Sequence, residues 1–319
     1  MVKGFALAET ISVIMPNYND ADYLRGALEA VCEQSYQPKE VIIVDDCSTD
    51  HSVQVVHELM PKYSVIRLIQ NEVNRGTNYT INRGAAQATG DLLYLSSSND
   101  QALPGLFEKS VLLLERYPQA ALSCADMYFV NIIDNSSYRN PPKWLSEPGY
   151  LSPDQFAAAT RVSNIPHPHI YTALVRKSKL PGDWIYRPEL EWYADWFLVQ
   201  VMALQHGCCY IPEPLALFRW LGRGNVYSGL RNHELYKNVI SRIIQDLAKP
   251  EYEDVTRLMI EGDCLKFVQP YACSPIVIGK ALSEVKNPNQ QIYNLFWYFT
   301  KRYIREIFSP ETFSKLRRE

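Results

Sequence analysis

The sequence predicts an α/β fold in which a mostly parallel central sheet carries helices on both faces and a helical region follows at the C-terminus. Three observations lead there. Short runs that are apolar on both faces recur through the N-terminal third, where a half-solvated strand would alternate. Segments with apolar residues at helical spacing separate these runs, the rhythm of βαβ crossovers. Each run stops at a polar or acidic cluster, and sheets of this kind hold ligands at the carboxyl ends of their strands.

The first run is ISVIM at 11–15, ended by Pro16 and Asn17. Tyr23, Leu24, Ala27, Leu28, Val31 and Cys32 then share a helical stripe, with Asp20 or Asp22 as its expected cap. VIIV at 41–44 reads as the second strand, 50–60 as the second helix and 66–69 as the third strand. A third helix over 78–88 is stopped by Gly90, and LLYL at 92–95 is the fourth strand. A pocket is therefore expected around 16–19, Asp45-Asp46 and 97–100. Residues 101–225 give mixed signals broken by Pro141, Pro142, Pro166, Pro168, Pro181, Pro188, Pro212 and Pro214. Such long loops commonly carry specificity. From about residue 230 the pattern is helical to the end.

Composition narrows the function. A net charge of −3 over 319 residues argues against a nucleic-acid partner, which calls for a basic stripe. The 21 tyrosines and 6 tryptophans suit core packing, stacking on sugar faces or a membrane interface. Seven scattered cysteines form no CxxC pair and read as reduced core thiols, which fits a cytoplasmic protein. The N-terminal stretch lacks a cleavage-site pattern and no run is long enough to span a bilayer. Neither GxGxxG after the first strand, nor GxxxxGK[ST], nor GxSxG is present.

Three blocks, in order, point elsewhere: ISVIMPNYNDADYLRGALEAVCEQSYQPKEVIIVDDCSTD, NRGTNYTINRGAAQATGDLLYLSSSNDQALPG, and WYADWFLVQVMALQHGCCYIPEPLALFRW. Together they resemble glycosyltransferase family 2, inverting nucleotide-sugar transferases of the GT-A fold, over residues 9–230. The resemblance implies a GT-A catalytic domain at 1–230, with a nucleotide-binding half at 9–105 and an acceptor and base half at 106–230, and a helical region at 231–319. It implies transfer of a sugar from a nucleotide-diphospho-sugar, UDP-type favoured, to a hydroxyl of a glycan or lipid-linked glycan.

By the same resemblance, Asp46 accepts a hydrogen bond from a pyrimidine N3–H, with Asp45 supporting the turn. Pro16 and Tyr18 line the base, and Arg75, Asn82, Ser98 and Asn99 complete the nucleotide site. Two or three aspartates usually hold a divalent cation that neutralises the leaving diphosphate. Here that stretch reads Ser97-Ser98-Asn99-Asp100, so Asp100 alone keeps a carboxylate for a weakened Mg2+ or Mn2+ site, and metal-independent action is the alternative. Arg219 or Arg223 is expected at the diphosphate, where a guanidinium would offset the depleted metal site. Asp195 aligns with the general base that deprotonates the acceptor hydroxyl, with Glu191 as its back-up. Tyr186, Trp192 and Tyr193 flank it and are candidates for stacking on an acceptor sugar, with core packing as the alternative for each. His167 and His169 lack a third ligand at useful spacing and are expected in an acceptor-side loop or as partly buried rings.

Near the C-terminus Ile292, Phe296, Phe299, Tyr303 and Ile307 share a helical face, with Lys301, Arg302 and Arg305 near the other. Such a helix packs on the catalytic domain or on a second copy in a homodimer, or lies on an anionic membrane. The membrane reading places 292–319 as a peripheral contact at the inner face of the plasma membrane. Two rivals compete with the transferase. A sugar-phosphate nucleotidylyltransferase would begin with a glycine-rich loop and a basic signature, both missing here. A non-catalytic sugar-nucleotide-binding or scaffold protein of the same fold is favoured by the altered Ser97–Asp100 stretch and opposed by Asp46 and Asp195.

Overall fold

A computed structural model describes residues 9–165, 167–182, 185–222, 232–267, 294–295 and 297–301. The first half is built of β1 (Ile11–Asn17), α1 (Ala21–Cys32), β2 (Glu40–Asp45), α2 (Ser52–Leu59), β3 (Ile66–Gln70), α3 (Thr77–Ala85) and β4 (Leu92–Leu95). There follow β5 (Gln101–Ala102), α4 (Leu106–Arg116), β6 (Leu122–Asn131), β7 (Ser136–Arg139), β8 (Gly149–Leu151), α5 (Pro153–Val162) and β9 (Leu174–Arg176). The remainder holds α6 (Ala194–His206), β10 (Cys208–Trp220), α7 (His233–Leu247) and α8 (Glu253–Glu261).

The strands form a mixed sheet in the order β3-β2-β1-β4-β9-β6-β10-β5, with β7 on β6 and β8 on β10. β3, β2, β1 and β4 run parallel. β9 is antiparallel to both β4 and β6, and β6 and β10 are again parallel to each other. The expected parallel arrangement therefore describes β1 to β4, while the rest of the sheet is mixed.

Alternation along the strands explains the two helical layers. Ile11, Val13, Met15, Val41 and Ile43 pack against Leu24, Leu28 and Val31 of α1, Val56 and Leu59 of α2, and Leu106 and Phe107 of α4. Ile14, Ile42, Val44, Leu93 and Leu95 face the other way, into a core shared by α3, α5, α6, α7 and α8. Two-sided burial is why these strands read as unbroken apolar runs. Gly84 lets α3 lie close on the sheet, since a Cβ there would come within 2.7 Å of Ile14 Cγ2. Gly207, at φ 78°, is the single residue between α6 and β10.

The elements differ from the expected ones mainly at their ends. α2 starts at Ser52 rather than Asp50, because Asp50 is spent bonding Ser52 N and Ala21 N. Asp20 occupies the N-cap position of α1 but makes no side-chain cap bond; it accepts from Ser98 Oγ at 2.8 Å instead. The C-terminal region is continuous with the core: Tyr236, Ile240, Ile244, Met259, Leu295 and Phe299 are buried in the same cluster as Phe197. Phe299 is thus used in packing, as is Leu295, whereas Trp297 is 55% exposed. Ile292, Phe296, Tyr303, Ile307, Arg302 and Arg305 lie outside the described residues. Among the described residues no helix is long and apolar enough to cross a membrane. The six described cysteines are free, and all but Cys47 are buried.

Candidate active site

A cleft of about 630 Å³ opens at the carboxyl ends of β1, β2 and β4 and extends to α6 and β10. Its walls come from both halves of the chain. The first half supplies Pro16, Tyr18, Asp46 and Gly76, the β4–β5 loop supplies Ser97 to Asp100, and the second half supplies Asp195 and Arg219.

At the end of β2 two neighbouring carboxylates do different things. Asp45 is turned inward: one oxygen accepts from Asn17 Nδ2 at 2.8 Å and Ser48 Oγ at 2.6 Å, the other from Ser48 N at 2.9 Å. It locks the β2–α2 turn to β1 and does not line the cleft. Asp46 does line it. Its Oδ1 accepts from Asn71 Nδ2 at 2.6 Å and Arg75 N at 2.8 Å, and its Oδ2 from Gly76 N at 2.8 Å. The β3–α3 loop is thereby pinned beneath the cleft. A carboxylate oxygen has room for two donors, so Asp46 Oδ2 retains one acceptor site. Tyr18, 47% exposed, presents an open aromatic face at the rim. Cys47, at φ 64°, follows in the left-handed region.

Two expected nucleotide residues are engaged elsewhere. Asn82 bonds the main chain of Tyr186 in both directions, Nδ2 to the carbonyl at 2.5 Å and Oδ1 from the amide at 2.9 Å. It ties α3 to the second half instead of facing the cleft. The guanidinium of Arg75 lies over the Tyr79 ring at 5.7 Å; its backbone amide, not its side chain, contributes to the nucleotide wall.

The β4–β5 loop is strapped to β10. Arg219 N donates to Asp100 Oδ1 at 2.8 Å, Arg219 Nη1 to the Asn99 carbonyl at 3.0 Å, and Nη2 to Gln101 Oε1 at 2.7 Å. Arg219 lines the cleft while holding this loop, so much of its donor capacity is already committed. Arg223 lies outside the described residues. Ser97 Oγ donates to Asn99 Oδ1, fixing the side chains within the loop.

Asp100 is the electrostatic oddity of this wall. It is buried, and its Oδ2 has no hydrogen-bond partner. Burial pushes its pKa up to about 7, against the pull of the Arg219 amide and charge. An unsatisfied buried carboxylate oxygen is costly unless a proton or a cation meets it. The oxygens at hand, Asp100, Asn99 and Ser97, suit a hard cation such as Mg2+ or Mn2+. The described residues contain no cluster of three or more acidic, His or Cys side chains able to hold a metal by themselves. What is present fits a cation anchored by one carboxylate, with substrate oxygens and water completing the shell. His167 and His169 are no such site: their rings sit 5.6 Å apart edge to face, and burial depresses them to about 4 and about 3.

Asp195 stands in the first turn of α6, preceded by Tyr193 as N-cap. Its carboxylate faces the cleft, partly open to solvent yet crowded among packed groups. Trp196 N donates to Oδ1 at 2.5 Å. Burial raises its pKa to about 6, partly offset by the backbone bonds from Trp196 and its own amide. A carboxylate tuned upward in this way is a better proton acceptor than a free one and remains ionised near neutrality.

The cleft also contains residues that the sequence did not single out for it. Asn74, Gly76, Thr77, Asn78, Tyr171 and Phe218 line it. Gly76 at φ 83° was the legible sign, since a glycine just before a helix marks a sharp backbone approach. Glu191, read only as a back-up base, is strained: φ 47° and ψ −126° form a combination favoured for glycine, and other residues there lose about 1–3 kcal/mol.

The comparisons with known proteins agree with this architecture. Residues 12–181 match the family described as Glycosyl transferase family 2. The chain is 32% identical over 102 residues to glycosyltransferase GlyG of Streptococcus pneumoniae, covering 32% of this chain and 34% of that protein. More generally it spans only 28–40% of the length of four curated glycosyltransferases that it matches. Among solved structures, S. aureus TarS 1-349 in complex with UDP superposes with TM-score 0.63 at 17% identity, over 94% of this chain and 91% of that one. The mannosyltransferase PcManGT of Pyrobaculum calidifontis, in complex with GDP-Man and Mn2+, gives 0.54 at 17% identity, over 95% and 88%. Those likenesses establish a shared GT-A-like fold. With more than half of its length matched by the family and the expected strand-end cleft in place, the chain belongs to glycosyl transferase family 2.

Proposed function

We propose that this chain is an inverting glycosyltransferase that moves a sugar from a nucleotide-diphospho-sugar to a hydroxyl of a glycan or lipid-linked glycan. The observation that carries the reading is the meeting of Asp46, Asp100 and Asp195 on one cleft, with Asp195 raised to about 6. In this reading the nucleoside base lies against Tyr18 and takes a hydrogen bond into the remaining acceptor site of Asp46. A uracil N3–H is a suitable donor; the UDP carried by TarS supports a UDP-type ligand, and the GDP-Man carried by PcManGT is the alternative base to test. The diphosphate lies toward Asp100 and the Arg219 strap. Asp100 Oδ2 and Asn99 would hold a divalent cation, which supplies charge neutralisation for the leaving diphosphate. Asp195 takes the proton from the acceptor hydroxyl as its oxygen bonds the anomeric carbon and the bond to the nucleotide diphosphate breaks. No covalent sugar–enzyme bond is required.

The test is nucleoside diphosphate release from UDP- and GDP-sugars, with Mn2+, Mg2+ or EDTA. Wild type should turn over at least one donor. Asp195→Asn should lower kcat by about 10²–10⁴-fold while UDP affinity, measured by calorimetry, stays within about twofold. A fully active Asp195→Asn variant removes this carboxylate from the mechanism. Tight UDP binding without turnover of any donor would favour the non-catalytic binding protein.

A further inference from the structure

Glu191 is the residue least explained by packing. Its backbone is strained, its side chain is exposed on the cleft wall, and it lies one turn ahead of Asp195. The strain is maintained from two sides. From the nucleotide half, Asn78 Nδ2 donates to the Glu191 carbonyl at 3.0 Å. From the C-terminal region, Tyr236 of α7 stacks on Trp192 with ring centroids 6.0 Å apart and planes 20° from parallel. The Tyr236 and Tyr193 hydroxyls meet at 3.2 Å. The segment leading into this corner is fixed to α7 as well: Arg187 pairs with the fully buried Asp246 and with Glu189, and Arg242 reaches Glu189 at 3.4 Å.

A strained conformer held by two separate elements, α3 and α7, at a cleft is a feature the fold maintains against its own local preference. Its effect is to present, beside the base, an aromatic side chain and a carboxylate: Trp192 and Glu191. An aromatic face with an adjacent hydrogen-bond acceptor is the chemistry that binds a pyranose ring, apolar on its C–H face and rich in hydroxyl donors at its edge. Resting on the transferase reading above, we propose that Glu191 and Trp192 form the acceptor-sugar subsite, with Glu191 setting specificity through acceptor hydroxyls, and that Asn78 and Tyr236 are positioning residues that hold it. The helical C-terminal region then has a function in the reaction: α7 braces the acceptor wall, so acceptor affinity depends on a segment that touches neither donor nor base.

The proposal is tested on the full chain with methyl pyranosides as acceptor probes. UDP-sugar turnover is followed with and without each pyranoside, and UDP affinity is measured separately. Glu191→Gln should raise the pyranoside KM by about tenfold, with UDP affinity retained. Glu191→Gly relieves the strain, so it should melt no lower than wild type and yet show the same KM loss. Tyr236→Phe should raise KM by a smaller factor with kcat retained. Pyranoside KM values within twofold of wild type for both Glu191 variants, with UDP affinity intact, overturn the acceptor corner alone. A wild-type protein that neither binds UDP nor releases it from any donor overturns the transferase reading, and this proposal with it.

Discussion

The carboxylates on the two sides of the cleft are treated in opposite ways. At the end of β2, Asp45 and Asp46 are held by several donors each, with one acceptor site left on Asp46 Oδ2: Asn17 and Ser48 for the first, Asn71, Arg75 N and Gly76 N for the second. Across the cleft, Asp100 has one bare oxygen and Asp195 is served chiefly by backbone, and burial raises both, to about 7 and about 6. The first pair is built as architecture and the second is kept reactive. Well-bonded carboxylates stabilise the fold; under-satisfied ones destabilise it and retain capacity for a cation or a proton.

Three measurements would sharpen or break that contrast. The largest effect should come from Asp46→Ala, which takes the acceptor from Arg75 N and one of the two acceptors from each of Asn71 Nδ2 and Gly76 N: a loss of about 2 kcal/mol in unfolding free energy, accompanied by loss of UDP binding. A variant that melts like wild type would show that Asp46 is not architectural. Next, Asp100→Asn should behave in the reverse sense. A carboxyl whose folded pKa is raised binds its proton more tightly in the native state, so its destabilising effect grows as pH rises from about 4 to about 7 and is complete above that. The amide variant should therefore gain on the order of a few degrees in Tm at pH 8 and almost nothing at pH 4. Its melting should also lose any Mn2+-dependent upshift seen for wild type with UDP. An unchanged or lower Tm at pH 8 would refute the idea of an under-satisfied Asp100. The smallest effect is expected for Tyr18→Ala. The ring is 47% exposed, so Tm should hold, while loss of base stacking weakens UDP by about 1–2 kcal/mol. Unaltered affinity would move the base away from this ring.

The same division decides what could be read from the chain. β1 to β4 and α1 to α3 were legible because two-sided burial leaves a dense local signal; β4 occupies Leu92–Leu95 as expected. The second half was not, because its strands are mixed in direction and its geometry is set by partners far away in sequence. Asn82 illustrates this. The family resemblance placed it in the nucleotide site, yet its amide serves Tyr186, 104 residues on. Asp20 was legible only as a cap; its bond to Ser98 depends on β1 and β4 being neighbours. The strain at Glu191 has no sequence signature at all, since it is imposed by α3 and α7 together.

Gly207 gives the second half of the chain a property that its position would not suggest. The helix that ends there begins near Asp195, and the strand that starts there ends near Arg219, so both limbs return to the cleft from one remote pivot. Each limb has 13 residues, about 20 Å of helix and more than 30 Å of strand. A Cβ at the pivot would lie 2.3 Å from the Tyr150 hydroxyl and 2.5 Å from the Leu151 carbonyl. A single methyl group at this distant corner would therefore act as a wedge on a caliper, shifting Asp195 and the Arg219 strap relative to each other while touching neither.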